Sequence, residues 1–280
     1  MYFTIKQPWG QQKPALGSQI DWGHPLARGL VGCWLFNEGA GKSATDLCNR
    51  AAGALIADAI YAPLGIAFDG TGDTVNVGRA THLDFNTATP FSVRFVFSCA
   101  NFGAQNGLWP VYVSHCSGSY QQDGWFIFAE DGAGSVAVGM GTNAYSTRHY
   151  TANVLSTNTP YDVTLTYNGD GSYSGWCVYI DAISKFMMGT TNPVNPTYGG
   201  TVQTSFASQN DTRLYMTGAM GRVQIYSRAL SAAEVAWLYA EPYAFIQAPE
   251  MPVFYSVPAA VTIYSRRGLT NRAGTRTVWT

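Results

Sequence analysis

FSVRFVFS, residues 91–98, decides the fold. Phe91, Val93, Phe95 and Phe97 alternate with Ser92, Arg94, Val96 and Ser98, so an extended backbone puts four bulky apolar side chains on one face. The pattern recurs in YDVTLTY (161–167), where Tyr161, Val163, Leu165 and Tyr167 oppose Asp162, Thr164 and Thr166. A Gly-rich NGDGSYSG follows, and then WCVYID, in which Trp176, Val178 and Ile180 alternate with Cys177, Tyr179 and Asp181. Residues 161–181 therefore read as a β-hairpin. Further short runs, among them GLVGCWLF, GIAFDG, DTVNVG, GWFIFAED, SVAVGMG, TRLYMTG and GRVQIYS, are bounded by Gly, Asn and Asp. No helical segment separates them, which predicts an all-β protein: an antiparallel β-sandwich rather than an α/β fold.

One stretch departs from the two-residue period. In SRALSAAEVAWLYAEPYAFI (227–246), Ser231 and Glu234 have the spacing of a capping box, in which hydroxyl and carboxylate each accept the other residue's backbone N–H. Leu230 and Val235 fall where a hydrophobic staple sits; Val235, Leu238 and Tyr239 make an apolar face, and Pro242 stops the helix. So short a helix does not stand alone in water. It is expected to pack across one open end of the sandwich as a lid.

Composition bounds the function. Of 280 residues, 12% are charged, against a usual share of about 25%, and the formal net charge is −1. That excludes a non-specific nucleic-acid binder, which needs a strong positive field. No apolar run reaches the roughly 18 residues of a membrane helix, and MYFTIKQPWGQQKP has no signal-peptide pattern, so the chain is expected to be made and kept soluble in the cytoplasm, or released from it without a signal. Cys33, Cys48, Cys99, Cys116 and Cys177 are odd in number and lack metal-ligand spacing, so they read as small buried hydrophobes.

Candidate chemistry is sparse. A glycosidase of this architecture needs two carboxylates about 5–9 Å apart on one face. Glu130 and Asp131 are adjacent and diverge on a strand, Glu38 and Asp46 fall in loops, and His24, His82, His115 and His149 are scattered. The expectation is no enzyme, no catalytic residue, no cofactor and no metal. Asp69 and Asp73, in FDGTGD, read as turn residues capping backbone N–H groups; two carboxylates fall short of a calcium shell. Trp109, Tyr112 and Tyr120, in loop-rich sequence around Trp125, are candidate glycan-binding aromatics, with Trp125 itself expected in the core.

The flanks carry the partner-binding candidates. Residues 1–28 are Pro- and Gly-punctuated, contain Trp9 and Trp22, and read as an extended arm. Residues 242–280 form a second arm with Phe254 and Tyr255, then Arg266, Arg267, Arg272 and Arg276 with no acid beyond Glu250. So many apolar residues argue for docking, on the chain's own body or on a neighbour, and the arginines for a partner offering carboxylates or carbonyls. Residues 29–241 are the expected domain.

GLVGCWLFNEGAG, DLCNRAAG, GIAFDGTGDTVNVG, FSVRFVFS and GAMGRVQIYSRALSAAEVAWLY together resemble the laminin-G-like, concanavalin-A-like jelly-roll family, over about Gly29 to Tyr239. The resemblance implies two stacked antiparallel sheets closed by the final strand and helix. It also marks a departure: the acidic pair that family members often carry before the last strand, where it helps seat calcium, is replaced here by Met220, Gly221 and Arg222. The entry WGHPLARGLVGCWLFNEG and the exit LYAEPYAFI resemble segments flanking such jelly rolls in tailed-bacteriophage proteins. That implies a virion structural protein, above all a capsid decoration or cement protein, with the major capsid protein or other virion subunits as partners and a homo-oligomer such as a trimer. A carbohydrate-binding, lectin-like module of a tail fibre or surface adhesin is the alternative.

Overall fold

A computed structural model describes residues 12–103, 109–117, 123–130, 132–142, 149–152, 154–189, 191–210 and 214–249. The chain divides into a body, Met1–Pro249, and a tail, Glu250–Thr280, which lies outside the described residues.

The body is a β-sandwich whose described strands all pair antiparallel, as the alternating runs require. One sheet runs Ile183–Lys185, Trp176–Ile180, Tyr161–Tyr167, Phe91–Cys99, Thr217–Tyr226, Ile66–Asp69, Ile60–Tyr61, with Leu30–Trp34 also on Thr217–Tyr226. The other runs Met187–Met188, His149–Thr151, Ala137–Gly141, Gly124–Phe128, Val111–Cys116, Gln203–Phe206, Thr74–Gly78, Gly53–Ile56, Ser43–Ala44. At the turn of the 161–180 hairpin, Gly169 adopts φ +77°, and a Cβ there would lie 2.8 Å from the Pro90 nitrogen. Only glycine fits that position without displacement.

Between the sheets lies a core rich in aromatic side chains. Phe91, Val93, Phe95 and Phe97 point into it with Val163, Leu165, Tyr167, Trp176, Val178 and Ile180, meeting Trp125, Ile127 and Val138 from the other sheet. Phe91 touches Phe85, Trp125, Tyr167 and Trp176 at ring-centroid distances of 4.5–6.0 Å. The alternation read from FSVRFVFS is the alternation observed.

A second core lies on the outer face of the first sheet. Leu26, Leu30, Cys33 and Leu35 pack with Tyr226, Leu230, Val235, Leu238 and Phe245. The helix, Ala232–Ala240, has the predicted capping box, with Ser231 as N-cap and Glu234 at its third position. It does not close an open end as expected; it lies over the sheet's outer surface, where Leu238 O accepts from Arg94 Nη2 at 2.7 Å.

In their described parts the extended arms read over 1–28 and 242–280 dock on the chain's own body, one of the two dockings open to them. Gln19–Ile20 pairs with Ile246–Gln247, and Ile20, Leu26 and Phe245 are buried in the second core. The boundaries at 28/29 and 241/242 therefore fall inside one compact body. The reason is physical: the outer face carries Cys33, Val96 and Tyr226, and the flanks are what cover it.

Beneath this cover sits an ionic network. Arg94, Asp162, Arg222 and Gln224 occupy neighbouring outward positions of the three central strands and are all buried. Asp162 accepts from Arg94 Nε at 2.9 Å and Nη2 at 2.5 Å, and from Arg222 Nη2 at 2.6 Å; Arg94 Nη1 donates to Gln224 Oε1 at 3.0 Å. Two cations against one carboxylate leave a positive excess. The helix C-terminus, where backbone carbonyls lack intrahelical partners, faces it through Leu238 O. Burial pushes the Arg94 pKa down, Asp162 opposes that, and Arg222 adds to it. Arg222 thus stands where the acidic pair implied by the resemblance is expected, and its Nη1 donates to the Tyr243 hydroxyl at 3.3 Å, tying the sheet to the C-terminal flank.

Candidate binding surfaces

Trp22 is the one partner-binding residue among those expected that the described structure places, and it is 59% exposed. Asp21 accepts from Gly23 N at 3.0 Å and, through its carbonyl, from His24 N at 3.0 Å, making a turn with Trp22 at its tip. His24 then caps the 3-10 turn Pro25–Ala27 by accepting from Leu26 N at 3.2 Å. Trp22 forms one wall of a groove of about 420 Å³ whose lining also includes Ser18, Gln19, Thr45, Leu47 and Asn49.

Both walls are held rigidly. Asp46 is buried, and its carboxylate accepts from Cys33 N, Cys48 N, Arg50 N and Ala51 N at 2.8–3.2 Å, which fixes the loop carrying Leu47 and Asn49. Asn49 takes a left-handed φ of 54°, tolerated best by Asn among residues with a Cβ. Glu38 accepts from Thr45 N at 2.6 Å and from the Tyr61 hydroxyl at 2.9 Å. The two loop acids are therefore loop-builders. On the facing wall, Ser18 Oγ is buried and has no hydrogen-bond partner among the described residues.

The aromatic candidates diverge. Tyr112 is fully buried, its ring 4.4 Å from that of Phe97 and 5.9 Å from that of Phe95, so as a glycan contact it is corrected. The cause is a register shift: Ile127 pairs with Val113 but Phe128 pairs with Val111, and the intervening Tyr112 joins the inter-sheet core. Trp109 is half-buried against the same core, and Trp125 is buried in it, as expected. Tyr120, Trp9, Phe254, Tyr255, Arg266, Arg267, Arg272 and Arg276 lie outside the described residues.

A second surface opens at the sandwich edge, where both sheets end. Tyr173, Trp176, Lys185, Phe186 and Met188 line a cleft of about 730 Å³ there, and Phe186 is 83% exposed.

Three carboxylates, of Asp58, Asp69 and Asp73, place oxygens within 4.8 Å of one another. Asp73 is buried and accepts from Asp58 N at 3.0 Å and Asp69 N at 2.9 Å, and Asp69 accepts from Thr71 N at 2.6 Å. These are the backbone-capping roles expected of Asp69 and Asp73, and burial raises the Asp73 pKa. Three carboxylates, those of Asp69 and Asp73 already engaged by backbone N–H groups, do not supply the six to eight oxygens of a calcium shell.

Asp84, His115 and Thr204 have the connectivity of a hydrolytic triad: His115 Nε2 lies 2.8 Å from Asp84 Oδ1, and Nδ1 lies 2.8 Å from Thr204 Oγ1. Burial lowers the His115 pKa, which the Asp84 carboxylate beside it opposes. Yet His115 and Thr204 are both fully buried, so no carbonyl can approach the hydroxyl. This chain of hydrogen bonds ties strands to the loop carrying Asp84. Burial alone raises the Asp84 pKa, but hydrogen bonds from His115 and Arg79 overcome it and bring it down to about 2. The five cysteines are free thiols; Cys33, Cys99 and Cys116 are buried and Cys48 and Cys177 half-buried.

With this geometry in place, comparison with known proteins defines the class. The laminin-G family model described as the concanavalin A-like lectin/glucanases superfamily matches residues 69–236, more than half of the chain. The chain belongs to that superfamily. No curated protein matches it significantly.

Among solved structures, it is similar to a Trypanosoma rangeli sialidase at 15% identity and TM-score 0.55, over 78% of this chain and 33% of that one. It is also similar to Domain 4 of AbnA, a GH43 extracellular arabinanase from Geobacillus stearothermophilus, solved in complex with arabinotriose. Here identity is 14% and TM-score 0.51, over 75% of this chain and 98% of that domain. The chain spans about a third of the sialidase, and at these identities the likeness is one of fold.

Proposed function

We propose that this protein is a non-enzymatic structural component of a tailed-bacteriophage virion, a capsid decoration or cement protein whose tail attaches it to neighbouring subunits. The observation that carries this reading is the composition of Glu250–Thr280, a unit separate from the body. It combines Phe254, Tyr255, Val261, Ile263 and Tyr264 with four arginines and no acid after Glu250. Such a segment gains by burying its apolar residues on a partner and pairing its arginines with carboxylates or carbonyls there. With residues 12–28 and 242–249 built into the body, attachment falls to this tail and to residues 1–11, which include Trp9. Many weak copies on a shell, as monomers or as trimers, stabilise it through multivalency.

The test is cryo-electron microscopy of purified particles of the encoding phage, with and without residues 250–280 of this chain. The expected result is sandwich-shaped density on the shell that disappears on truncation. Density retained without the tail, or absence of the chain from purified particles, refutes the reading.

Membership of a lectin/glucanase superfamily and fold likeness to an arabinotriose-bound domain favour a second reading, a carbohydrate-binding module. It predicts retention of the full chain on an immobilised glycan, with no release of reducing sugar.

A further inference from the structure

The groove beside Trp22 combines an exposed indole, polar side chains and two hydrogen-bonded walls. We infer that it is a binding site for a neutral saccharide, an inference that rests on the carbohydrate-binding reading and gives it a location. The apolar C–H face of a sugar ring stacks on an indole, and Trp22, 59% exposed, is carried by a turn fixed by Asp21.

Around it, the exposed Gln19, Thr45 and Asn49 supply hydroxyl and amide groups, each able to donate and to accept, as ring hydroxyls require. Among the described residues no charged side chain lines the groove, which selects against phosphates, uronates and other anions and for an uncharged polyol.

The volume, about 420 Å³, lies within the usual range of small-ligand pockets, about 300–1,000 Å³. Asp46 and Glu38 hold one wall, and the pairing of Gln19–Ile20 with Ile246–Gln247 holds the other. Little ordering is left to be done on binding, which favours affinity. The site is assembled from the N-terminal flank and the loop at residues 45–49, on the side of the second core and away from the inter-sheet space.

The experiment is an array of neutral oligosaccharides, arabinotriose included, probed with the full chain and with Trp22→Ala and Phe186→Ala, followed by titration calorimetry on any glycan retained. Phe186, 83% exposed at the sandwich-edge cleft and outside the lining of this groove, is the control. The expected result is a glycan retained by the unaltered chain, bound about tenfold or more weakly by Trp22→Ala and within about twofold by Phe186→Ala. Unchanged binding by Trp22→Ala leaves the module reading standing and removes this site. No glycan retained by the unaltered chain removes both. Loss of particle attachment by Trp22→Ala without any glycan binding assigns the groove to a protein partner and overturns the proposal.

Discussion

The two faces of the first sheet are built on opposite principles. The inner face buries Phe91, Val93, Phe95 and Phe97 against aromatic rings. The outer face of the same strand buries Ser92 and Arg94, with Asp162 and Arg222 beside them, under a helix and both chain flanks. The inner core is held by volume filled. The outer layer combines an apolar core with a buried network in which one carboxylate answers two guanidinium groups, and a fault in each face should be felt differently.

The largest effect is expected from Asp162→Ala, which strands two buried guanidinium groups. Chemical denaturation should show a loss of about 3–5 kcal/mol. Phe91→Ala should cost a similar amount, about 3–5 kcal/mol, through cavity formation. The comparison is sharpened by a triple variant, Arg94→Met, Asp162→Leu, Arg222→Met. With no charge left to desolvate, it should recover most of the stability lost in Asp162→Ala. No such polar-to-apolar rescue exists for the inner core, and failure of the triple variant to recover would mean that the outer layer also depends on the arginine contact with Leu238 O.

Acidification gives the next effect, at Asp84. Its folded pKa, about 2, lies below the unfolded value of about 3.9, so its contribution is fully present above that unfolded value and is lost as pH falls toward 2. The loss should be at most about 2 kcal/mol and should disappear in Asp84→Asn, in thermal melts between pH 5 and pH 2 (approximate limits). The smallest effect is expected at Ser231→Ala, about 1 kcal/mol, because only the cap of a nine-residue helix is lost. A larger value would show that the helix holds the outer layer cooperatively.

The same contrast explains what could be read in advance. Strand alternation and the capping box are local patterns, and Phe91–Cys99 and Ser231–Glu234 are found as the residues dictate. The position of the helix was not legible, because Arg94, Asp162 and Arg222 carry the pattern of solvent-facing residues and only their mutual placement across three strands makes them coverable. Tyr112 misleads because a register shift has no sequence signature in VYVSHC. The groove escapes for a different reason. Ser18, Gln19, Thr45 and Asn49 are ordinary polar residues in two separate segments, and of its members only Trp22, an aromatic residue among Pro and Gly, draws notice.

The strand pair formed by Gln19–Ile20 and Ile246–Gln247 also sets an order of events during synthesis. The early strand leaves the ribosome long before its complement exists, so translation must run almost to the end of the body before the outer layer can seal. Until then Leu26, Leu30 and Cys33 wait without their final neighbours. Closure at this distance along the chain is slow compared with hairpin formation, so the second core is finished after the hairpins that precede it.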